Sequence, residues 1–111
     1  MRIWGLKNCD TCRKAVKALD AAGRAPDYVD VRADGVAAAD LERFFAAFGE
    51  ALVNKRSTTW RRLSEDERAG DPVALLAQHP TLMKRPVIEA GGRLTLGWDA
   101  KTQATWLENG V

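Results

Sequence analysis

Apolar residues at three- and four-residue steps, and short β-prone runs, divide the chain into a strand–helix–strand beginning, a helical middle and a hairpin near the end. Ile3 and Leu6 mark a short first strand around residues 2–6. From Thr11 to Ala22 the spacing of Ala15, Val16, Ala18, Leu19 and Ala22 predicts a helix with one buried face, and Gly23 stands just past its end. Pro26-Asp27 opens a second strand, Tyr28-Val29-Asp30-Val31, rich in aromatic and β-branched residues. A strand, a helix and a strand in this order predict a right-handed crossover between parallel strands.

The middle is helical. Leu41, Phe44, Phe45 and Phe48 follow Asp40 at i, i+3, i+4 and i+7, which assigns the phenylalanines to a core, and Gly49 ends the run. Residues 54–63 are polar and rich in cations, with no clean period, and read as a loop feeding a short helix. Ser64 and Glu67 have the spacing of a capping box, and Asp71-Pro72 supplies an N-cap and first helical residue ahead of Val73, Leu76 and Ala77. Pro80 stops that helix. Gly91-Gly92 between Val87–Ala90 and Arg93–Leu96 predicts an antiparallel hairpin, and Asp99 caps a closing helix from about Ala100 to Glu108.

A chain of 111 residues is long enough for one core. With 46% apolar and 29% charged residues the composition is that of a globular domain, and a net charge of +2 leaves no basic footprint for direct nucleic-acid binding. No apolar run has the length of a signal peptide's core or a membrane span, so a cytoplasmic protein with no membrane association is expected. In that reducing compartment two cysteines point to catalysis or redox sensing rather than to a structural staple.

Those cysteines form the pair Cys9-Asp10-Thr11-Cys12 at the junction of the first strand and helix. A sulfur there meets unsatisfied backbone N–H groups and the positive end of the helix dipole, both of which favour thiolate. Lys7 and Arg13 add positive charge, and the three-residue step lets the second sulfur reach the first. A structural zinc site needs about four ligands, and beyond the pair only His79 is at hand, so no metal is expected. Two inert core cysteines fit poorly with the polar residues between them. The favoured reading is a redox pair, with Cys9 attacking and Cys12 resolving. Arg85-Pro86 before the hairpin, and Arg56 beside the hydroxyls of Ser57, Thr58 and Thr59, are the remaining candidates for holding an anion, with a solvated charge run as the plain alternative for Arg61 and Arg62. Trp60 either covers the site or packs.

The segments Lys7–Ala15, Arg56–Leu63, Lys84-Arg85-Pro86 and Leu96-Gly97-Trp98 together resemble the arsenate reductase C superfamily of thioredoxin-like proteins, most of all its YffB/Spx-type branch. The resemblance runs over nearly the whole chain in the family's order. It implies an α/β, thioredoxin-like fold, a mixed β-sheet with flanking helices, in a single domain over 1–111 with a helical insertion at about 35–80. It implies Cys9 as nucleophile and Arg85-Pro86 as a cis-proline pair beside it, with Asn8, Thr11, Arg13 and Arg56 as further substrate- or anion-binding positions. Glutaredoxin-coupled arsenate reductases carry one cysteine followed by Gly-Thr-Ser-Arg, and three arginines. Here Cys12 takes the serine position, Asn54 falls nearest the first arginine, Gly97 falls at the third, and Arg85 alone matches, with Arg56 displaced by two residues. The leading expectation is therefore a thiol-disulfide oxidoreductase with no bound cofactor and glutathione as co-substrate. An Spx-like regulator that binds the RNA polymerase α subunit is the alternative, and an arsenate reductase partnered by glutaredoxin is the third reading.

Overall fold

The structure, a computed structural model, describes residues 1–108. The chain divides into two compact units, one formed by Met1–Asp30 with the chain from Arg85 onward, the other by Val31–Lys84.

The first unit holds strands β1 (Arg2–Gly5), β2 (Asp27–Asp30), β3 (Val87–Ala90) and β4 (Arg93–Leu96) and helix α1 (Asp10–Ala21). The strands form one mixed sheet in the order β2-β1-β3-β4. β1 and β2 run parallel, with Ile3 opposite Tyr28 and Gly5 opposite Asp30, as the crossover rule requires. β3 is antiparallel to both β1 and β4. Gly91 and Gly92 turn the hairpin with φ of 56° and 78°, the left-handed conformations a tight two-residue connection needs. Ile3 and Ile88 of the sheet, Ala15 and Leu19 of α1 and Trp106 of the closing helix form a buried cluster. Each large apolar side chain so buried contributes about 1.5–3 kcal/mol.

The closing segment starts as a helix at Ala100–Gln103, with the Asp99 carboxylate accepting the Thr102 N–H, and continues as a π-helical turn over Ala104–Glu108. It is tied down at Trp106, whose indole N–H donates to the Thr95 hydroxyl at 2.7 Å and whose carbonyl accepts from Arg24 at 3.1 Å. Two expectations for this unit change. Ala22 is exposed as the C-cap of α1 and does not continue its buried face, which is made by Cys12, Ala15 and Leu19. Val31 does not extend β2, because β1 ends at Gly5 and leaves it no ladder partner, so Val31 opens a helix instead.

That helix, α2 (Val31–Asp34), begins the second unit, followed by α3 (Ala38–Phe48), α4 (Thr58–Arg62), α5 (Glu65–Arg68) and α6 (Pro72–Gln78), with 3-10 turns at Gly49–Leu52 and Pro80–Leu82. The capping signals act as expected: Ser64 and Glu67 close a reciprocal box, and the Asp71 carboxylate accepts the Ala74 N–H. α3 and α6 pack together. Of the three phenylalanines only Phe44 is fully buried, Phe45 and Phe48 being half-buried, and α6 buries Leu75 and Leu76 while Ala77 is exposed. A bridge between Val53 and Met83, with Asn54 N–H donating to the Leu82 carbonyl and Lys84 N–H to the Leu52 carbonyl, ties the end of this unit back on itself.

Candidate functional site

β1 ends at Gly5, Leu6 is buried, and a polar turn through Lys7 and Asn8 carries the chain into α1 with Cys9 as its N-cap. The turn is pinned at both ends. Cys9 N–H donates to the Leu6 carbonyl at 3.2 Å, and Lys7 N–H donates to the carboxylate of the buried Asp30 at 3.2 Å. Cys9 has extended backbone angles, φ −92° and ψ 117°, which aim it out of the helix start. Both cysteines are free thiols, Cys9 half-exposed and Cys12 fully buried one turn behind.

The two sulfurs are driven in opposite directions. Partial burial works against ionisation of Cys9, but the Cys12 backbone N–H and thiol, and then the Arg85 guanidinium by hydrogen bond and by charge, outweigh it and hold the Cys9 thiol below its ordinary range. Burial pushes the Cys12 thiol up to about 11 against the opposing hydrogen bond from the Leu6 backbone, with the neighbouring Cys9 adding to the rise and Arg85 acting weakly against it. Cys9 is thus the more readily ionised of the two sulfurs, and Cys12 is held as a thiol.

Gly5 makes this arrangement possible. A Cβ at this position would stand 2.7 Å from Cys12 Sγ and 3.0 Å from the Tyr28 hydroxyl oxygen, so the missing side chain is the space those two atoms occupy. Tyr28 comes from β2, directly across the parallel ladder from Ile3. Its hydroxyl is buried and finds no partner at full hydrogen-bond geometry among the described residues. Burial first, then the charges on Cys12, Asp30 and Cys9, push the phenol well above its ordinary range, so Tyr28 stays protonated. Gly5, Tyr28 and Asp30 are site residues that sequence reasoning did not single out. A glycine closing the strand before a Cys-x-x-Cys turn, and a lone tyrosine on the parallel partner strand, were the available signals.

Of the expected binding positions, Arg85 lies against Cys9, and Pro86, fully buried, follows it through a cis peptide bond. The Pro86 carbonyl accepts the N–H of Gly97 at 2.8 Å, and Gly97 has φ 87°, a conformation that disfavours an arginine at that position. Asn8 and Thr11 are exposed on the turn and first helical turn. Arg13 forms an exposed ion pair with Asp10. Arg56 belongs to the other unit, where its backbone N–H donates to Asn54 Oδ1 and its side chain is exposed. Trp60, in that unit, is half-buried between the cations of Lys55 and Arg68, at 5.7 and 5.5 Å from its ring. A groove of about 380 Å³ runs along α1, with Val16 and Tyr28 as its apolar lining and Lys7, Arg13 and Lys17 as cations at its edge, opposed by Asp20. Among the described residues no three His, Cys, Asp or Glu side chains cluster as metal ligands, and no helix is long and apolar enough to cross a membrane.

Known proteins resemble this chain in sequence and in fold. An uncharacterized protein of Haemophilus influenzae is 39% identical over 104 residues, spanning 89% of this chain and 91% of its own. The solved structure of the YFFB protein superposes with a TM-score of 0.87 at 34% identity, over 96% of this chain and 97% of that one. An arsenate reductase (ArsC) related protein from Brucella melitensis gives a TM-score of 0.71 at 34% identity, over 95% and 92% of the two chains. The pattern of the ArsC family matches residues 4–105, so that the end of β1, the cysteine pair, the helical unit and the cis-proline hairpin all fall within it, and the chain belongs to the ArsC family.

Proposed function

We propose that this protein is a glutathione-dependent thiol-disulfide oxidoreductase that reduces glutathionyl mixed disulfides or small disulfides. The observation that carries the reading is the polarity of the pair: a half-exposed Cys9 whose thiolate is favoured by Arg85 and the helix start, backed by a buried Cys12 that stays a thiol. Cys9 thiolate attacks the glutathione sulfur of a mixed disulfide. The bond to the substrate sulfur breaks, and the substrate leaves as a thiolate that takes up a proton. Cys12, on losing its proton, then attacks Cys9 Sγ, forming the Cys9–Cys12 disulfide and releasing glutathione. Two further glutathione molecules reduce that disulfide and leave as glutathione disulfide, so the electrons balance over the cycle.

Arg85 supports both the attacking thiolate and the thiolates that depart. Asn8, Thr11 and the Pro86 segment border the site from the turn and the hairpin, and the cationic edge of the α1 groove suits a partner that carries carboxylates, as glutathione does. No metal or organic cofactor enters these steps, and glutathione as reductant fits the reducing compartment in which an unpaired Cys-x-x-Cys is expected. The test is steady-state reduction of a glutathionylated peptide with glutathione, glutathione reductase and NADPH. The wild type turns over and Cys9→Ser does not. A wild-type protein without turnover refutes the enzyme reading, and binding to the RNA polymerase α subunit in its place would establish the Spx-like regulator.

A further inference from the structure

The Tyr28 hydroxyl is a buried polar group with no partner at full hydrogen-bond geometry among the described residues, held only by a weak interaction with the Cys12 thiol, an arrangement costly enough to need a reason. It meets the Cys12 sulfur over the side-chain-free α-carbon of Gly5. We infer that Tyr28 is the built-in hydrogen-bond donor to the Cys12 thiolate, idle while Cys12 is a thiol and engaged when Cys12 becomes the resolving nucleophile. This role rests on the dithiol cycle proposed above.

The chemistry follows from what each sulfur state accepts. A thiol is a weak acceptor, so the phenol gains little from it; a thiolate accepts a charge-assisted hydrogen bond of about twice ordinary strength. Cys12 is fully buried, so bulk water cannot supply that bond. The other groups facing the pair are Cys9 at the start of α1, Asp30 at the end of β2, Arg85 ahead of β3 and the Leu6 backbone. Asp30 and the two cysteines keep the phenol protonated and thus a donor, and Arg85 is shared with Cys9. In the resolving step the Cys12 proton leaves by the half-exposed Cys9 side of the site, where the departing thiolate takes it up. The Cys12 electron pair forms the bond to Cys9 Sγ, the mixed-disulfide bond breaks, and the Tyr28 O–H returns to its idle state. The phenol lends a hydrogen bond and never transfers its proton.

Tyr28 is the chain's single tyrosine, which makes the test clean. Reaction with the aryl disulfide DTNB releases one thionitrobenzoate when Cys9 attacks and a second when Cys12 resolves, so stopped-flow absorbance separates the two steps. In Tyr28→Phe the first phase is unchanged, and the second slows about tenfold, the loss of one hydrogen bond to a charged group, with its pH profile moved upward. Replacing the tyrosine biosynthetically by 3-fluorotyrosine, a more acidic donor, accelerates the second phase, and this arm holds even should the phenylalanine variant misfold. A second phase with the same rate and pH profile in Tyr28→Phe and in the fluorotyrosine protein overturns the Tyr28 role and leaves the dithiol cycle standing. A wild-type protein that never releases the second thionitrobenzoate refutes both.

Discussion

Gly5→Ala is the smallest change that reaches the centre of this site. The added methyl would lie 2.7 Å from Cys12 Sγ, 3.1 Å from Cys12 Cβ and 3.0 Å from the Tyr28 hydroxyl, where ordinary van der Waals contact begins near 3.4 Å. The Cys12 sulfur would have to retreat by several tenths of an ångström, yet it is fully buried on a helix anchored about one and two turns further on by Ala15 and Leu19. Overpacking of this kind costs about 1–3 kcal/mol. Lower entropy of the unfolded chain offsets roughly 0.5 kcal/mol of it. The net loss of about 1–2 kcal/mol corresponds to a melting temperature lower by roughly 5–15 °C for a domain of this size. Thermal unfolding by calorimetry or circular dichroism, in reductant, reads it directly. A double-mutant cycle with Cys12→Ala assigns the cause: with the sulfur removed, the tightest contact is gone and much of the penalty should vanish, leaving the contacts with the Cβ of residue 12 and the Tyr28 hydroxyl. A Gly5→Ala protein as stable as the wild type, or one that is equally destabilised in the Cys12→Ala background, would refute the account of how the pair is packed.

Other consequences can be checked separately. Arg85→Ala removes the guanidinium that favours the Cys9 thiolate, so the pH midpoint for alkylation of Cys9 by iodoacetamide should move upward and the rate at neutral pH should fall severalfold; an unmoved midpoint would show that Arg85 does not act on Cys9. The raised Cys12 thiol carries a stability signature. Above the ordinary thiol value of about 8.5 the unfolded chain releases a proton that the folded protein keeps up to about 11, so stability contributed by this group is present below that window and declines as pH rises through it. Urea titrations across alkaline pH should show this decline flattened in Cys12→Ala. In the helical unit, Ser57→Ala deletes both the acceptor for Trp60 N–H at 3.1 Å and the donor to the Asn54 carbonyl at 2.8 Å, and should lower stability by about 1–2 kcal/mol in denaturant titrations.

The parts of the fold announced by local chemistry were legible along the chain. Gly91-Gly92 supplies the positive φ of the hairpin, Ser64 with Glu67 and Asp71 with Pro72 satisfy their own helix starts, and a cysteine at a strand–helix junction brings its own electrostatic setting. What escaped the sequence depends on partners distant in the chain. Val31 looks like the end of a strand until β1 is seen to stop at Gly5. Phe45 and Phe48 share the helical spacing of Phe44, but spacing does not say how wide a stripe α3 buries. The same holds at the site. Cys9 and Cys12 were visible as a motif, whereas the roles of Gly5, Tyr28 and Asp30 arise only when the parallel ladder sets β2 beside β1 and the groups converge behind the thiol.

The central claim is that Cys9 and Cys12 work as an attacking and resolving pair in exchange with glutathione. Intact mass after equilibration across a series of reduced-to-oxidised glutathione ratios, with acid quenching, tests it most directly. The account predicts a protein lighter by two hydrogens at mid-range ratios, with the bridge mapped to Cys9 and Cys12 and absent from Cys9→Ser. A wild-type protein that stays unmodified throughout, or that stops at a stable glutathione adduct on Cys9 without forming the bridge, would contradict it.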